Sequence, residues 1–213
     1  MTTIYLIRHS RPFRDLLGEY NSNEQEQIRN EKNPLSGDGE LRAKKLSEYN
    51  ELQDVDIIFS SHYVRAMATA KYIAEKNNIK LNVDCRFGER KFGVKDMSEL
   101  PKDFFLHQAK DWNYKIGDGE SLNEVYARMT QAFKEILNKY RNKKIVVVSH
   151  GTALTTLLKK WCAITIDENT ELFKYYFKGK EFFNGKWDAS ELFKLEFDEK
   201  NNLIDISNIK IKY

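Results

Sequence analysis

KIVVVSHG, residues 144 to 151, decides the fold. An isoleucine followed by three valines leaves no alternation of apolar and polar positions, so neither face of that strand can look at water. Such a run belongs in the interior of a parallel sheet covered by helices on both sides. Just before it, Ser121 and Glu124 form an S-x-x-E capping box. Leu122, Val125, Met129, Phe133, Ile136, Leu137 and Tyr140 then recur at helical spacing. Residues 152 to 162 continue as helix. Further toward the N-terminus, TIYLI (3–7), VDIIFS (55–60) and KLNVD (80–84) read as strands. Ser36 caps a helix with Leu41, Leu46 and Tyr49 on one face. Tyr63, Ala66, Met67, Ala70, Ile73 and Ala74 mark another, with Arg65 in its first turn.

Strands alternating with helices up to residue 162 imply right-handed βαβ crossovers and a three-layer α/β/α sandwich with a mostly parallel central sheet. The tail differs: LFKYYF, SELFKLEF, NLIDI and KIKY, broken by NGKW and DEKNN, predict an antiparallel C-terminal edge. Those strands also offer an edge on which a homodimer could form. No linker divides the 213 residues, so a single domain is expected, with cap segments near 11–33 and 90–118.

The net charge of +3 without a basic stripe argues against a nucleic-acid partner. No apolar run approaches membrane-spanning length and the N-terminus carries no leader pattern, so no membrane partner and a cytoplasmic location are expected. Cys85 and Cys162 lack any paired spacing and read as buried thiols. No histidine or carboxylate cluster has metal spacing, so neither metal nor cofactor is expected.

Chemistry gathers at three strand ends: Arg8-His9 after the first, Arg65 after the second, His150-Gly151 after the valine run. In an open α/β sheet these ends line one crevice. Two guanidinium forks match phosphate oxygens, and an imidazole can donate or, when neutral, attack. The implied ligand is a small phosphorylated molecule, since positioning and charge stabilisation suffice for phosphoryl transfer. Glu89, in FGERKFG, is the candidate acid for the leaving oxygen. Burial would raise its pKa, Arg90 and Lys91 would lower it, and the sequence leaves that balance open.

Taken singly, Arg65 reads as a surface helix residue and His150 as a satisfied core histidine. His62 and His107 fall at no motif position and read as structural or rim residues. VVSHG imitates a G-x-S-x-G nucleophile elbow, but Val147 stands where the first glycine is needed, which disfavours Ser149 as a nucleophile. GERKFGVK imitates a nucleotide-binding loop, but Val94 stands at the lysine position.

Six segments in order resemble the histidine phosphatase superfamily, also called phosphoglycerate mutase-like. They are the strand ending in Arg8-His9, PLSGDGELRA (34–43), IIFSSHYVRAMATA (57–70), Glu89 in its loop, GESLNEVYAR (119–128) and VVVSHG (146–151). The resemblance implies His9 as a nucleophile that forms a phosphohistidine. Arg8, Arg65 and His150 would clamp phosphoryl oxygens, and Glu89 would serve as acid and then base. Two positions depart from the family pattern. Ser10 replaces a glycine and could donate its hydroxyl to phosphate; Asp15 replaces an asparagine, so either Pro12 redraws the loop or Asp15 points elsewhere, with Arg11 or Arg14 to supply the missing contact. Ser10, Arg11 and Gly151 therefore join the expected substrate-binding set. A metal-independent phosphatase is the leading expectation. A phosphoglycerate mutase is the alternative, disfavoured because R-K-F-G follows Glu89's glutamate position where mutases carry R-x-Y-G. A non-catalytic phosphate-binding module is the third reading.

Overall fold

The computed structural model describes residues 1–13, 24–167 and 172–212. Its main sheet runs in the order β3-β2-β4-β1-β8-β9. β1 (Thr2–Arg8), β4 (Lys144–Ser149), β2 (Ile57–Ser60) and β3 (Leu81–Val83) are mutually parallel. β8 (Leu192–Phe197) and β9 (Leu203–Ile209) add the expected antiparallel edge. The valine run lies between β1 and β2, and Ile145 to Val148 are wholly buried. Side chains on the strands sort by parity. Ile4, Leu6, Ile145 and Val147 face α5 (Leu122–Lys139) and α6 (Gly151–Leu158). Tyr5, Ile7, Val146 and Val148 face α2 (Gly37–Ser47) and α3 (Val64–Lys76). Each of the aliphatic side chains among them stabilises the fold by about 1.5–3 kcal/mol, which anchors both β1 and β4 in the core.

The capping box of α5 forms as expected: Glu124 N donates to Ser121 Oγ (3.2 Å) and Ser121 N to Glu124 Oε2 (2.8 Å). Ser36 caps α2 by accepting from Gly39 N at 3.0 Å. The face expected for α2 is corrected, because Leu41 is 67% exposed while Gly39, Ala43 and Leu46 are buried. Five residues of helix turn through about 140° beyond a full revolution, so Leu41 and Leu46 cannot share a face. The cap segments carry α1 (Glu26–Lys32) and α4 (Phe104–Lys110).

The tail is corrected in part. The helix after His150 stops at Leu158, and β5 (Ala163–Ile166), β6 (Phe173–Phe177) and β7 (Lys180–Gly185) form a separate antiparallel sheet. LFKYYF therefore belongs to that sheet, where its Tyr175 is buried beside Phe183, Trp187 and Phe193. Residues 210–212 of KIKY form no strand. Cys162 is buried, and burial pushes its thiol up to about 12; Cys85 is exposed, contrary to expectation, because its short 3-10 turn buries Phe87 instead. Among the described residues no helix is long and apolar enough to cross a membrane.

Candidate active site

The parallel ladder continues past the strand ends and sets the site's spacing. His9 N donates to Ser149 O (2.9 Å) and Ser61 N to Val148 O (3.0 Å). Neighbouring strands lie about 4.8 Å apart, and the His9 and His150 rings accordingly stand 5.0 Å apart, centroid to centroid. Arg65 enters from the first turn of α3 and is only 5% exposed. Its Nε donates to His9 Nε2 at 3.1 Å and its Nη2 lies 3.3 Å from His150 Nδ1. Its Nη1 donates to the Asn30 carbonyl of α1, which brings that cap helix against the site. Three groups remote in sequence thus meet.

Hydrogen bonding assigns the imidazole protons. His9 Nδ1 lies 2.7 Å from the Ser10 carbonyl and must carry a proton to donate there. Nε2, which receives the Arg65 Nε–H, is left as a lone pair. In His150 the Arg65 Nη2–H faces Nδ1, so Nε2 carries the proton and donates to Ser61 Oγ at 2.7 Å. Burial holds the pKa of His9 well below the ordinary histidine value, with Arg65 and Arg8 acting in the same direction. Burial, Arg65, His9 and Arg8 do the same to His150. Both rings are therefore neutral at neutral pH. Burial lowers Arg65 to about 10, with the Glu89 charge opposing, so the guanidinium stays protonated.

Arg8 lies close enough to depress both imidazoles, and its Nη1 donates to the Trp187 carbonyl, supplied by the tail. Glu89 sits across the hollow at the N-terminus of α6. Its carboxylate accepts from Ala153 N (3.1 Å), Thr152 N (3.3 Å) and Arg90 N (2.9 Å), where the helix dipole favours negative charge. Gly151 opens that helix.

Two expected contacts fall elsewhere. Ser10 is wholly buried: its hydroxyl donates to Gly39 O (2.8 Å) and its amide to Thr69 Oγ1 (2.9 Å), so it anchors the turn rather than offering a proton to phosphate. A Cβ at Gly39 would stand 2.1 Å from the Arg11 carbonyl, which explains the second glycine of PLSGDG. Arg11 pairs with Asp38 at 2.7 Å on the exposed rim. Arg14 and Asp15 lie outside the described residues. Ser149 is likewise committed, donating to Phe87 O at 2.7 Å.

Residues without an expected role also appear. Ser61 and Thr69 hold His150 and the His9 turn, and both lie inside IIFSSHYVRAMATA (57–70), where helical spacing marks only the apolar positions. The buried Tyr63 ring lies 4.5 Å from that of His150 and 4.8 Å from the Arg65 guanidinium carbon. Its hydroxyl accepts from Gln27 Nε2 at 2.9 Å, and burial raises it to about 12. Beside Glu89 opens a cleft of about 220 Å³, lined by residues that include Gln27, Glu31, His62, Lys91 and Glu120.

The family model described as "histidine phosphatase superfamily (branch 1)" matches residues 4–177. An uncharacterized phosphatase, PhoE of Bacillus subtilis, is 29% identical over 189 residues, covering 88% of this chain and 92% of its own. A probable phosphoglycerate mutase, GpmB of Serratia proteamaculans, is 29% identical over 168 residues, covering 74% of each chain. Among solved structures, a phosphoserine phosphatase mutant from Entamoeba histolytica, in complex with phosphoserine, superposes with a TM-score of 0.65 over 97% of both chains at 22% identity.

Proposed function

Since the chain belongs to the histidine phosphatase superfamily, we propose that it hydrolyses small phosphomonoesters in two steps through a phosphohistidine on His9. The observation that carries this reading is the fixed tautomer of His9. Its Nδ1–H is held by the Ser10 carbonyl, which leaves on Nε2 the lone pair that accepts from Arg65 Nε–H and is released for attack when phosphate oxygens draw the guanidinium to themselves.

In the first step Nε2 attacks phosphorus in line, the phosphorus–oxygen ester bond breaks, and Glu89, which takes a proton from the incoming monoanionic ester, passes it to the departing alkoxide. Arg65 and Arg8 neutralise charge on the equatorial oxygens, the role that metal ions take in many phosphoryl-transfer sites, and His150 joins them as a donor when the bound phosphate dianion draws a proton onto its Nδ1. In the second step water attacks phosphorus, Glu89 takes the water's proton, and the nitrogen–phosphorus bond breaks to release inorganic phosphate. The cycle needs no metal. The cleft beside Glu89 opens on the side where the leaving group would stand.

The mutase alternative keeps the same nucleophile and returns the phosphoryl group to a second hydroxyl. A panel of phosphoserine, phosphoglycerates and sugar phosphates, assayed for free phosphate and for isomerised ester, separates the two. Phosphate release is expected to exceed isomerisation, and His9→Ala to lower it by roughly 10⁴-fold or more. Isomerised phosphoglycerate in excess of phosphate, or undiminished turnover by His9→Ala, overturns the proposal.

A further inference from the structure

The segment GESLNEVYAR holds a residue that the two-step scheme leaves without a role. Arg128, on α5, grips the carboxylate of Glu120 in a fork, Nε to Oε1 at 2.8 Å and Nη2 to Oε2 at 2.9 Å. Both side chains are less than one-fifth exposed, at 19% and 18%. The same guanidinium donates Nη1 to Arg86 O (2.7 Å) and Gly88 O (2.9 Å), and Nη2 to Glu89 O (3.1 Å). Glu120 closes the circuit by accepting from Lys91 N at 3.1 Å, while Glu120 N donates to Lys91 O at 2.9 Å. One ion pair therefore gathers the backbone of residues 86, 88, 89 and 91 around Glu89. Beyond it the loop lies against residues 116–119 so tightly that a Cβ at Gly93 would stand 2.0 Å from the Ile116 carbonyl.

Arg128 borders the cleft, yet a guanidinium has five N–H groups and five hydrogen bonds occupy them. None remains for a substrate anion without dismantling the loop. We propose that Arg128, paired with Glu120, is a positioning residue that holds the Glu89 carboxylate at the leaving-group oxygen. This rests on the phosphatase reading above. Glu89 has no counterpart of the sheet ladder that fixes His9 and His150, so its aim depends on what restrains its loop.

Misplacing an acid matters in proportion to how poor the leaving group is. The test measures single-turnover rates of the purified full chain on dinitrophenyl phosphate, whose phenolate leaves unaided, and on glycerol phosphate, whose alkoxide needs a proton. For Arg128→Ala the alkyl ester is expected to slow by about 100-fold and the aryl ester by about threefold. Arg128→Lys, with three donors and no fork, should fall between. Adding Arg128→Ala to Glu89→Gln should not widen the ratio further, as expected of two residues acting through one proton transfer. Since Arg128→Ala leaves a half-buried Glu120 without its guanidinium, Arg128→Met with Glu120→Gln is measured alongside it. Equal slowing of both esters in folded variants, or additive ratios with Glu89→Gln, overturns the assignment. Amide exchange at residues 86–91 judges the clamp without turnover: faster exchange in Arg128→Ala supports it and unchanged exchange overturns it. A wild-type chain that hydrolyses neither ester instead overturns the phosphatase reading.

Discussion

The two halves of the site are held by different means. His9, His150 and Ser61 stand at the ends of adjacent parallel strands, and backbone bonds from His9 N to Ser149 O (2.9 Å) and from Ser61 N to Val148 O (3.0 Å) extend the ladder to the first and last of them. Glu89 stands on a loop, fixed by the N-terminus of α6 behind it and by the Arg128–Glu120 pair beneath it. The phosphate half thus inherits the rigidity of the core, whereas the leaving-group half depends on polar contacts that single substitutions can undo. Under the proposed function, chemistry common to every phosphomonoester falls to the sheet, and discrimination among leaving groups to loops.

After loss of the nucleophile itself, Arg65→Ala should break the phosphate half most broadly. It removes donors facing both imidazoles and should lower kcat/KM by about 10³-fold with every ester. A loss confined to one class of leaving group would contradict the comparison. Glu89→Gln should give the opposite signature: a fall of roughly 100-fold on alkyl esters with little on activated aryl esters, read from initial rates. Equal losses would mean that the two halves are not separable.

The phosphate half should also make stability depend on pH. The folded pKa values of His9 and His150 are depressed, whereas in the unfolded chain both titrate near about 6.5. As pH falls below that unfolded value, the unfolded state takes up protons that the folded state refuses, so stability is present above it and lost on acidification. The slope is at most about 1.4 kcal/mol per pH unit for each ring. Denaturant unfolding between pH 7 and pH 5 checks this, and His9→Ala should flatten the slope.

The smallest effect is expected at the cap. Arg29 of α1 reaches Asp96 of the second cap segment at 2.7 Å, and Glu26 N donates to Lys95 O at 3.0 Å, so the two segments meet beside the site. Arg29→Ala should raise KM severalfold with kcat nearly unchanged and move the melting temperature by a few degrees at most. A kcat effect larger than the KM effect would place α1 in the chemistry rather than at its threshold.

Much of the sheet-borne half was legible in the sequence because each of its residues directly follows an apolar run. A strand end is a place that periodicity can locate, and Arg8, His9 and His150 sit on such ends. The loop-borne half was legible as a motif but not as an arrangement. Arg128 lies 39 residues beyond Glu89 in the chain, and nothing in its helical spacing tells that its guanidinium turns toward backbone carbonyls. Ser10 misled for a related reason: a hydroxyl beside the nucleophile suggests a phosphate donor, but the close approach allowed by Gly39 gives it a backbone acceptor instead. The aromatic tail showed strands without showing which sheet they join, because short runs such as LFKYYF carry no register.

The most direct measurement is the site of the trapped phosphoryl group. Enzyme denatured during turnover of a labelled monoester should carry acid-labile, alkali-stable phosphate, and peptide mapping with phosphorus–nitrogen NMR should find it on Nε2 of His9. Label on Nδ1 of His9, on His150 or on Glu89 would contradict the tautomer on which the mechanism is built, as would steady hydrolysis with no labelled protein at any time.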